Sequence, residues 1–367
     1  MVEANRNPFT PNFGSVPVWM AGRSRVIGDL LGALDQGVGN PNLCTLLSGA
    51  RGSGKTALLT YVSDHAREHG WVSVDVSAEV GMLEDVVQRT IESAQGYVRS
   101  STTKVTSISV PALFSASWEH AAGFEPNWRT RMNALLDQFA LADLGLVITV
   151  DGVNPEVGEL VSLVSTYQHF VRERRNVALL MAGLPNNVSS LLSNDDVSFL
   201  RRASRRRLGN VSQAEAEVAL RRTIEFGGKS IEGGDLSVAA RSTLGYPYLM
   251  QLVGYHLWEA SADHDTISSD DVRDGVLIAR SDFEERVLGS TCRVLSDGDR
   301  RFLVAMLPDE GESRIADIAT RMGVTSNYAS LYRRRLEEQG VVSTRRRGVV
   351  GVDLPLLKDY VARMAAE

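Results

Sequence analysis

The sequence has little cysteine and no long apolar run. Cys44 and Cys292 are the two cysteines in 367 residues, so we expect reduced packing residues rather than a disulfide scaffold. No stretch of 18 or more apolar residues occurs, which argues against a membrane span, and the first residues lack the apolar core of a signal peptide. We therefore expect a cytoplasmic protein without a membrane partner.

The chain also lacks a large excess of charge. Its net charge of −6 argues against a wholly basic nucleic-acid binder, and 43% apolar residues are typical of a globular protein. The charge is uneven, because residues 321–347 carry seven arginines against two glutamates, a local net charge of +5. The six histidines show no metal-ligand spacing with cysteine, and we assign them no role.

Residues 43–61 carry the clearest chemical signal. Within them, residues 49–56 (GARGSGKT) fit the P-loop pattern G-x-x-x-x-G-K-[ST], between an apolar strand-like run and apolar helical spacing. The glycines allow a tight turn whose N–H groups reach phosphates, and the helix adds its positive N-terminal end. The predicted phosphate-binding residues are Gly49, Gly52, Ser53, Gly54, Lys55, Thr56 and Ala57. Lys55 should reach the β- and γ-phosphates and Thr56 should coordinate Mg²⁺, so the pattern predicts a bound nucleoside triphosphate.

A second chemical signal ends another apolar stretch. Residues 144–151 (LGLVITVD) read as a buried strand that finishes on Asp151, as a Walker B element does. A carboxylate at the end of such a strand can bind Mg²⁺, and we predict that role for Asp151. The alternative is an aspartate that caps the next helix.

The order of elements predicts an α/β P-loop NTPase domain followed by two smaller domains. Strands are predicted at 43–47, 71–76, 144–151, 177–183 and 208–211. Helices separate most of them, which favours a parallel sheet with helices on both faces. Residues 100–125 read as a hairpin-like excursion with β-type stretches at 104–110 and 112–118.

After residue 212 the predicted strands stop until the C-terminal domain. Helical spacing at 213–226, 234–243, 246–262 and 268–288 predicts an all-helical domain. From residue 295, three helices and a two-stranded wing with an arginine-rich turn predict a winged helix-turn-helix. The predicted division is an irregular arm at 1–15, the nucleotide domain at 16–211, the helical domain at 212–294 and the winged helix at 295–367.

Together these residues resemble the AAA+-related signal-transduction ATPases (STAND and archaeal-ATPase type), particularly bacterial ATP-binding proteins with a C-terminal winged helix. The resemblance covers residues 16–364. It implies that Gly22 and Arg23, in Met20-Ala21-Gly22-Arg23, lie beside the adenine, although Ser24 replaces the usual acidic residue. It likewise places Pro247, in Gly245-Tyr246-Pro247, near the adenine and makes the helical domain a lid.

The sequence departs from this family directly after Asp151. Related ATPases have a glutamate there that polarises the attacking water, whereas this chain has Gly152. Losing a positioned base costs on the order of 10²–10⁴ in rate, so we expect slow hydrolysis. Glu156 or Glu159 could substitute from the following helix.

Two groups of arginines have alternative interpretations. Arg201 and Arg202, in a window of five arginines at 201–207, resemble by position a trans-acting arginine finger, which would need a homo-oligomer. The alternative is a solvated basic helix end. In the winged helix, Ser326, Asn327, Ser330 and Arg333 could reach base edges, and Arg345, Arg346 and Arg347 could meet phosphates of duplex DNA. Here the alternatives are a protein partner or a solvated turn.

The sequence thus predicts an ATP-binding switch protein. Mg-ATP (or ADP) would bind between the P-loop, Gly22, Arg23 and Pro247, and the winged helix would report the nucleotide state to DNA or a protein partner. Two alternatives remain open. One is an oligomeric ATPase motor or loader acting on nucleic acid; the other is a non-catalytic interaction module with a structural nucleotide.

Overall fold

A five-stranded parallel sheet forms the centre of the first domain. The computed structural model describes residues 6–12, 14–100 and 127–366, so the predicted stretches at 104–110 and 112–118 lie outside the described residues. The strands are β1 (Cys44–Gly49), β2 (Trp71–Ser77), β3 (Gly145–Asp151), β4 (Val177–Gly183) and β5 (Ser204–Leu208). Their order is β2-β3-β4-β1-β5, and every pair is parallel. The carboxyl ends of β1 and β3 therefore lie at the same edge, which is where parallel sheets bind ligands.

Helices cover both faces of this sheet. They are α1 (Ser24–Gln36), α2 (Lys55–Glu68), α3 (Met82–Ser100), α4 (Trp128–Leu141), α5 (Gly158–Arg172) and α6 (Pro185–Ser193). One buried cluster joins α1 and α2 to one face, with Leu58 packed beside Leu180 of β4. A second cluster joins α3, α4, α5 and α6 to the other face. Because β3 and β4 are buried on both faces, their sequences are almost continuously apolar.

The fifth strand differs from the sequence prediction. Residues 208–211 were expected to form it, but the strand is Ser204–Leu208, in the arginine-rich window. β5 lies at the edge of the sheet, where side chains face solvent, and Arg205 and Arg207 are exposed. Arg206 forms an ion pair with Asp29 of α1 at 2.8 Å. Edge exposure explains why this strand lacks the apolar pattern of the others.

The second domain is helical. It contains α7 (Gln213–Phe226), α8 (Gly233–Ser242), α9 (Pro247–Ala260) and α10 (Ser269–Phe283). Capping boxes begin α7 and α10, with Ser212 paired to Glu215 and Ser268 paired to Asp271. Two short parallel strands, β6 (Ser230–Ile231) and β7 (Thr266–Ile267), were missed because two-residue strands carry no periodicity.

In the described residues, the third domain has four helices and a three-stranded sheet. A π-helical turn (Glu284–Gly289) and α11 (Ser290–Arg293) lead into it. Its elements are α12 (Asp297–Ala305), β8 (Glu312–Arg314), α13 (Ile315–Met322), α14 (Ser326–Glu338), β9 (Val342–Arg346), β10 (Val349–Val352) and α15 (Leu357–Ala366). The antiparallel order is β8-β10-β9. The predicted fold class is thereby confirmed, with one more strand in the winged helix than the sequence pattern indicated.

The second and third domains share one hydrophobic core. A single buried cluster runs from Leu220 and Leu257 of the helical domain to Phe302 and Leu336 of the winged helix. The N-terminal arm joins this cluster through Phe9, although residues 6–12 have no regular secondary structure. Among the described residues, no helix is both long and apolar enough to cross a membrane.

Candidate nucleotide-binding site

The P-loop connects β1 to α2 and is shaped by its glycines. Gly52 and Gly54 have φ values of 68° and 86°, in the left-handed region that favours glycine. A β-carbon on Gly49 would lie 2.6 Å from the carbonyl oxygen of Leu208. The loop therefore keeps a backbone conformation in which larger residues would be strained or would collide.

Lys55 is folded back onto this loop. Its Nζ donates hydrogen bonds to the carbonyl oxygens of Gly49, at 2.9 Å, and Ala50, at 2.7 Å. Burial lowers the pKa of Lys55 to about 8, while the Asp151 carboxylate acts in the opposite direction. Next to it, Ser53 is 3% exposed and its hydroxyl has no hydrogen-bond partner among the described residues. A half-buried ammonium and an unpartnered buried hydroxyl fit an anionic ligand such as a phosphate group.

Thr56 and Asp151 lie in direct contact. The Thr56 hydroxyl donates to Oδ2 of Asp151 at 2.5 Å, and Oδ1 of Asp151 accepts from the N–H of Gly152 at 2.9 Å. Ninety-five positions separate these two residues, and the parallel sheet brings them together. A hydroxyl and a carboxylate are hard oxygen ligands of the kind Mg²⁺ prefers, so this pair fits the predicted metal.

Gly152 adopts a conformation that a glutamate would not readily take. Its φ is 75°, although a β-carbon there would meet nothing within 4 Å. The obstacle to a side chain at this position is therefore backbone strain rather than space.

A cavity of about 320 Å³ lies between the P-loop and the helical domain, and we call it the lid cavity. P-loop residues 51–57, including Ala57, line one side. Arg23 and Pro247, predicted to lie near the adenine, line it with Met20 and Tyr248. Gly22 does not line it; its β-carbon position lies 3.2 Å from Oε2 of Glu215, on α7. The cavity thus brings most of the predicted nucleotide residues together.

Arg23 ties the P-loop to the segment that follows β5. It is 8% exposed, and its Nη2 donates to the carbonyl oxygens of Ser53, at 3.2 Å, and Gly209, at 2.7 Å. Burial lowers the pKa of Arg23, and the charge of Glu215 partly offsets this effect. Arg23 thus holds the loop conformation as well as lining the cavity.

Tyr246 is a site residue that the sequence analysis did not identify. It is 2% exposed, and its hydroxyl donates to the carbonyl oxygen of Arg51 in the P-loop. A β-carbon on Gly52 would lie 2.5 Å from this hydroxyl, so the lack of a side chain at Gly52 leaves room for the tyrosine. The one sequence signal that could have identified Tyr246 is its position directly before Pro247.

On the other side of the P-loop lies an open groove of about 540 Å³, which we call the metal-side groove. Thr56 and Asp151 line it, and so do three further carboxylates. These are Asp75, Glu79 and Asp85. Glu159 does not line it, because its carboxylate accepts from the N–H groups of Gly81, at 2.8 Å, and Leu83, at 3.0 Å.

The winged helix contacts the P-loop directly. A β-carbon on Gly340, after α14, would lie 3.1 Å from Cδ2 of Leu184 and 3.3 Å from Cγ of Arg51. Asp353, after β10, has a side chain that is 7% exposed, and it lies close enough to oppose the lowering of the Lys55 pKa. Burial raises the pKa of Asp353. A carboxylate of the third domain therefore contributes to the pKa of the P-loop lysine, although less than burial, Asp151 and Arg51 do.

Arg201 and Arg202 lie in a 3₁₀ segment (Asp195–Arg202) before β5 and line neither cavity. Arg201 donates to the carbonyl oxygen of Leu192 at 3.1 Å and pairs with Asp195. Both arginines are exposed, as a residue that acts on another subunit would be. Their role as arginine fingers stays a prediction.

The predicted nucleic-acid residues of α14 differ in accessibility. Ser326 and Asn327 are exposed at its start, and Thr325 caps the helix. Ser330 is half-buried, with its hydroxyl bonded to the carbonyl oxygen of Ser326 at 2.8 Å. Arg333 is directed toward β9, where it donates to the Thr344 hydroxyl at 3.2 Å.

The three wing arginines also differ in exposure and in their partners. Arg346 is 70% exposed and pairs with Glu312 at 2.9 Å, and Arg347 is exposed in the turn. Arg345 instead points back across the sheet to Asp353 at 2.8 Å. Arg345 therefore connects the wing to Asp353, whereas Arg346 and Arg347 are exposed at the wing tip.

One side-chain cluster lies away from both cavities. His65, Glu68 and His69 near the end of α2 bring potential metal-ligand atoms within 4.8 Å of one another. The sequence analysis considered only spacing between histidine and cysteine, and so it missed this i, i+3, i+4 arrangement.

Comparisons with known proteins identify the fold. Residues 285–361 match a family model described as Domain of unknown function (DUF8462), and no curated protein matches the chain. The solved structure of the ORC2 protein of Aeropyrum pernix, with ADPNP and ADP, is 14% identical, with a TM-score of 0.60 over 97% of this chain and 98% of that one. The Walker-type ATPase PABY2304 of Pyrococcus abyssi is 12% identical, with a TM-score of 0.65 over 94% and 96%. This chain has the fold of AAA+-related P-loop ATPases.

Proposed function

We propose that this protein is an ATP-binding switch that holds Mg-ATP at the P-loop. The support comes from the site itself and not from similarity to other proteins: the half-buried ammonium of Lys55, the buried hydroxyl of Ser53 without a partner among the described residues, and the Thr56–Asp151 pair. Thr56 and Asp151 would hold Mg²⁺, which supplies positive charge to the phosphates. Arg23 and Pro247 would flank the base in the lid cavity.

The observation that carries the switch is the contact between the winged helix and the P-loop. Gly340 packs against Arg51, and the buried carboxylate of Asp353, which is ion-paired with Arg345, makes a small contribution to the pKa of Lys55. A triphosphate at Lys55 would be repelled by that carboxylate to the extent that the ion pair with Arg345 leaves its charge uncompensated. Bound ATP would therefore favour a position of the winged helix in which Asp353 lies farther from the loop. Only such a difference in affinity can shift the equilibrium.

The output of the switch would be binding of duplex DNA through exposed Ser326, Asn327, Arg346 and Arg347. One observation favours a protein partner as the second candidate. Tyr328 and Leu331 on α14 are 49% and 51% exposed, and apolar side chains on an accessible helix face suit a protein surface. Fluorescence anisotropy with labelled duplexes separates the two, because DNA binding should weaken steeply with salt and in Arg346→Ala.

Hydrogen exchange tests the coupling. Amide exchange in residues 337–353 would be compared for the free protein, with Mg-ATP and with Mg-ADP. We expect ATP to increase exchange in this segment because the winged helix moves away from the P-loop. Lys55→Met should abolish the change. If wild-type protein binds ATP and exchange in the segment stays the same, the coupling is contradicted.

A further inference from the structure

Of the four carboxylates that line the metal-side groove, one has a side chain with no partner among the residues that the structure describes. Asp75 accepts hydrogen bonds from Ser63, Arg67 and Thr149. Oδ1 and Oδ2 of Asp85 both accept from Nε of Arg89 at 2.8 Å.

The other two carboxylates contrast with each other. Asp151 is held by Thr56 and by the N–H of Gly152. Among the described residues, the Glu79 side chain makes no hydrogen bond or ion pair, and it is exposed to the groove. Glu79 is therefore free to bind water.

Strand register places Glu79 beside the position where the usual glutamate is missing. Ser77, the last residue of β2, pairs with Asp151, the last residue of β3. The N–H of Ala78 still donates to the carbonyl oxygen of Asp151, at 3.3 Å. Glu79 follows directly, so it leaves the sheet next to Asp151 and Gly152. The turn is held by a hydrogen bond from the N–H of Met82 to the Glu79 carbonyl oxygen at 3.2 Å.

The glutamates named from the sequence are less well placed. Glu159 uses both carboxylate oxygens to bind the backbone N–H groups at the start of α3. Glu156 does not line the groove, although it is exposed. The segment after neighbouring β2, rather than the segment after β3, thus supplies a carboxylate that shares this groove with the Thr56–Asp151 pair and has no partner among the described residues.

We infer that Glu79 is the general base for ATP hydrolysis in this protein, an inference that rests on the proposed ATP binding. The Glu79 carboxylate accepts a proton from a water molecule as the water oxygen forms a bond to the γ-phosphorus. The bond between that phosphorus and the β–γ bridging oxygen breaks, and its electron pair stays on ADP. The products are ADP and inorganic phosphate. A base on the neighbouring strand explains how the chain keeps Gly152 without losing a proton acceptor.

The test compares Glu79→Gln with Glu156→Gln, a matched change of an exposed glutamate outside the groove. ATP affinity is measured with a fluorescent ATP analogue, and single-turnover hydrolysis is followed with excess protein. We expect all three proteins to bind ATP with similar affinity. Hydrolysis should fall about 100-fold or more in Glu79→Gln and stay unchanged in Glu156→Gln. Nucleotide extracted from Glu79→Gln after incubation should be ATP, whereas the wild type should hold ADP.

Two further outcomes decide the inference. Added formate should restore part of the rate in Glu79→Ala, since a small carboxylate can occupy the space of the lost group, and should not restore it in Asp151→Ala. If Glu79→Gln hydrolyses ATP within about threefold of the wild type, or if wild-type protein binds ATP without hydrolysing it, Glu79 is not the base. Failure of wild-type protein to bind ATP would overturn the proposed function and this inference together.

Discussion

The two sides of the P-loop differ in chemistry. The lid cavity lies between the P-loop, the helical domain and the N-terminal segment and has a mainly apolar lining that includes Met20, Tyr246 and Pro247. The metal-side groove is open and lined by four carboxylates at the ends of β2 and β3 and the start of α3. The first suits a planar apolar base, and the second suits a metal and water. Binding and turnover should therefore depend on different side chains.

A third contribution comes from the winged helix, which touches the loop that separates these two regions. Asp353 affects Lys55, and Gly340 packs against Arg51. Thr56 lines both regions, and Lys55, the residue before it, lines the lid cavity. Variants at Lys55 should disturb ATP binding and signalling together. Variants that change only the lid cavity or only the metal-side groove should change one of these properties without the other.

The largest effect is expected for Lys55→Met, which removes the positive charge of the P-loop and keeps an apolar stem of similar length. Hydrogen bonds to charged groups contribute about 1.5–3 kcal/mol each, so ATP affinity should fall about 10- to 100-fold. Titration with a fluorescent ATP analogue measures this. Affinity within threefold of the wild type would show that the P-loop lysine does not contact phosphate.

The pH dependence of ATP binding should report the same lysine with a smaller effect. Burial lowers the pKa of Lys55 to about 8, so the ammonium is present below that pH and is lost above it. Phosphate binds the charged form, and affinity should fall as pH rises above 8, by up to about tenfold per unit. Lys55→Arg stays charged and serves as the control. A wild-type affinity that is flat between pH 7 and 9.5 would contradict this account.

The smallest effect is expected at Gly152, at the end of the metal-side groove. Its φ of 75° disfavours a side chain, so Gly152→Ala should destabilise the protein by about 1 kcal/mol. Gly158→Ala is the matched control, because Gly158 begins α5 with a negative φ and open space around it. Urea unfolding compares them. Equal stability of both variants would mean that backbone strain does not explain the absence of a residue larger than glycine.

Much of the nucleotide domain could be predicted because its signals are local in sequence. The P-loop and the strand ending at Asp151 each combine an apolar run with a polar terminus, and the sheet then brings Thr56 to Asp151. β5 was misplaced because an edge strand rich in arginine carries no apolar pattern. The residue composition of a strand therefore does not predict the strand where its side chains are largely exposed to solvent.

The features that were missed depend on contacts between distant parts of the chain. The hydrogen bond from Tyr246 to Arg51 spans 195 positions, and no local pattern encodes it. Glu79 becomes a candidate only through the register of β2 against β3. Asp353 lies beside the P-loop because the winged helix packs against the nucleotide domain, which the sequence of neither domain reveals.

The ATP affinity of Asp353→Asn tests the central claim most directly. This substitution removes a negative charge and leaves its ion-pair partner Arg345 uncompensated, so both changes should favour the triphosphate, and we expect about three- to tenfold tighter ATP binding, equivalent to about 1 kcal/mol. Asp359→Asn, an exposed carboxylate on α15 of the same domain, should leave affinity unchanged. Affinity that is unchanged or weaker in Asp353→Asn would contradict a winged helix that senses the nucleotide through this carboxylate.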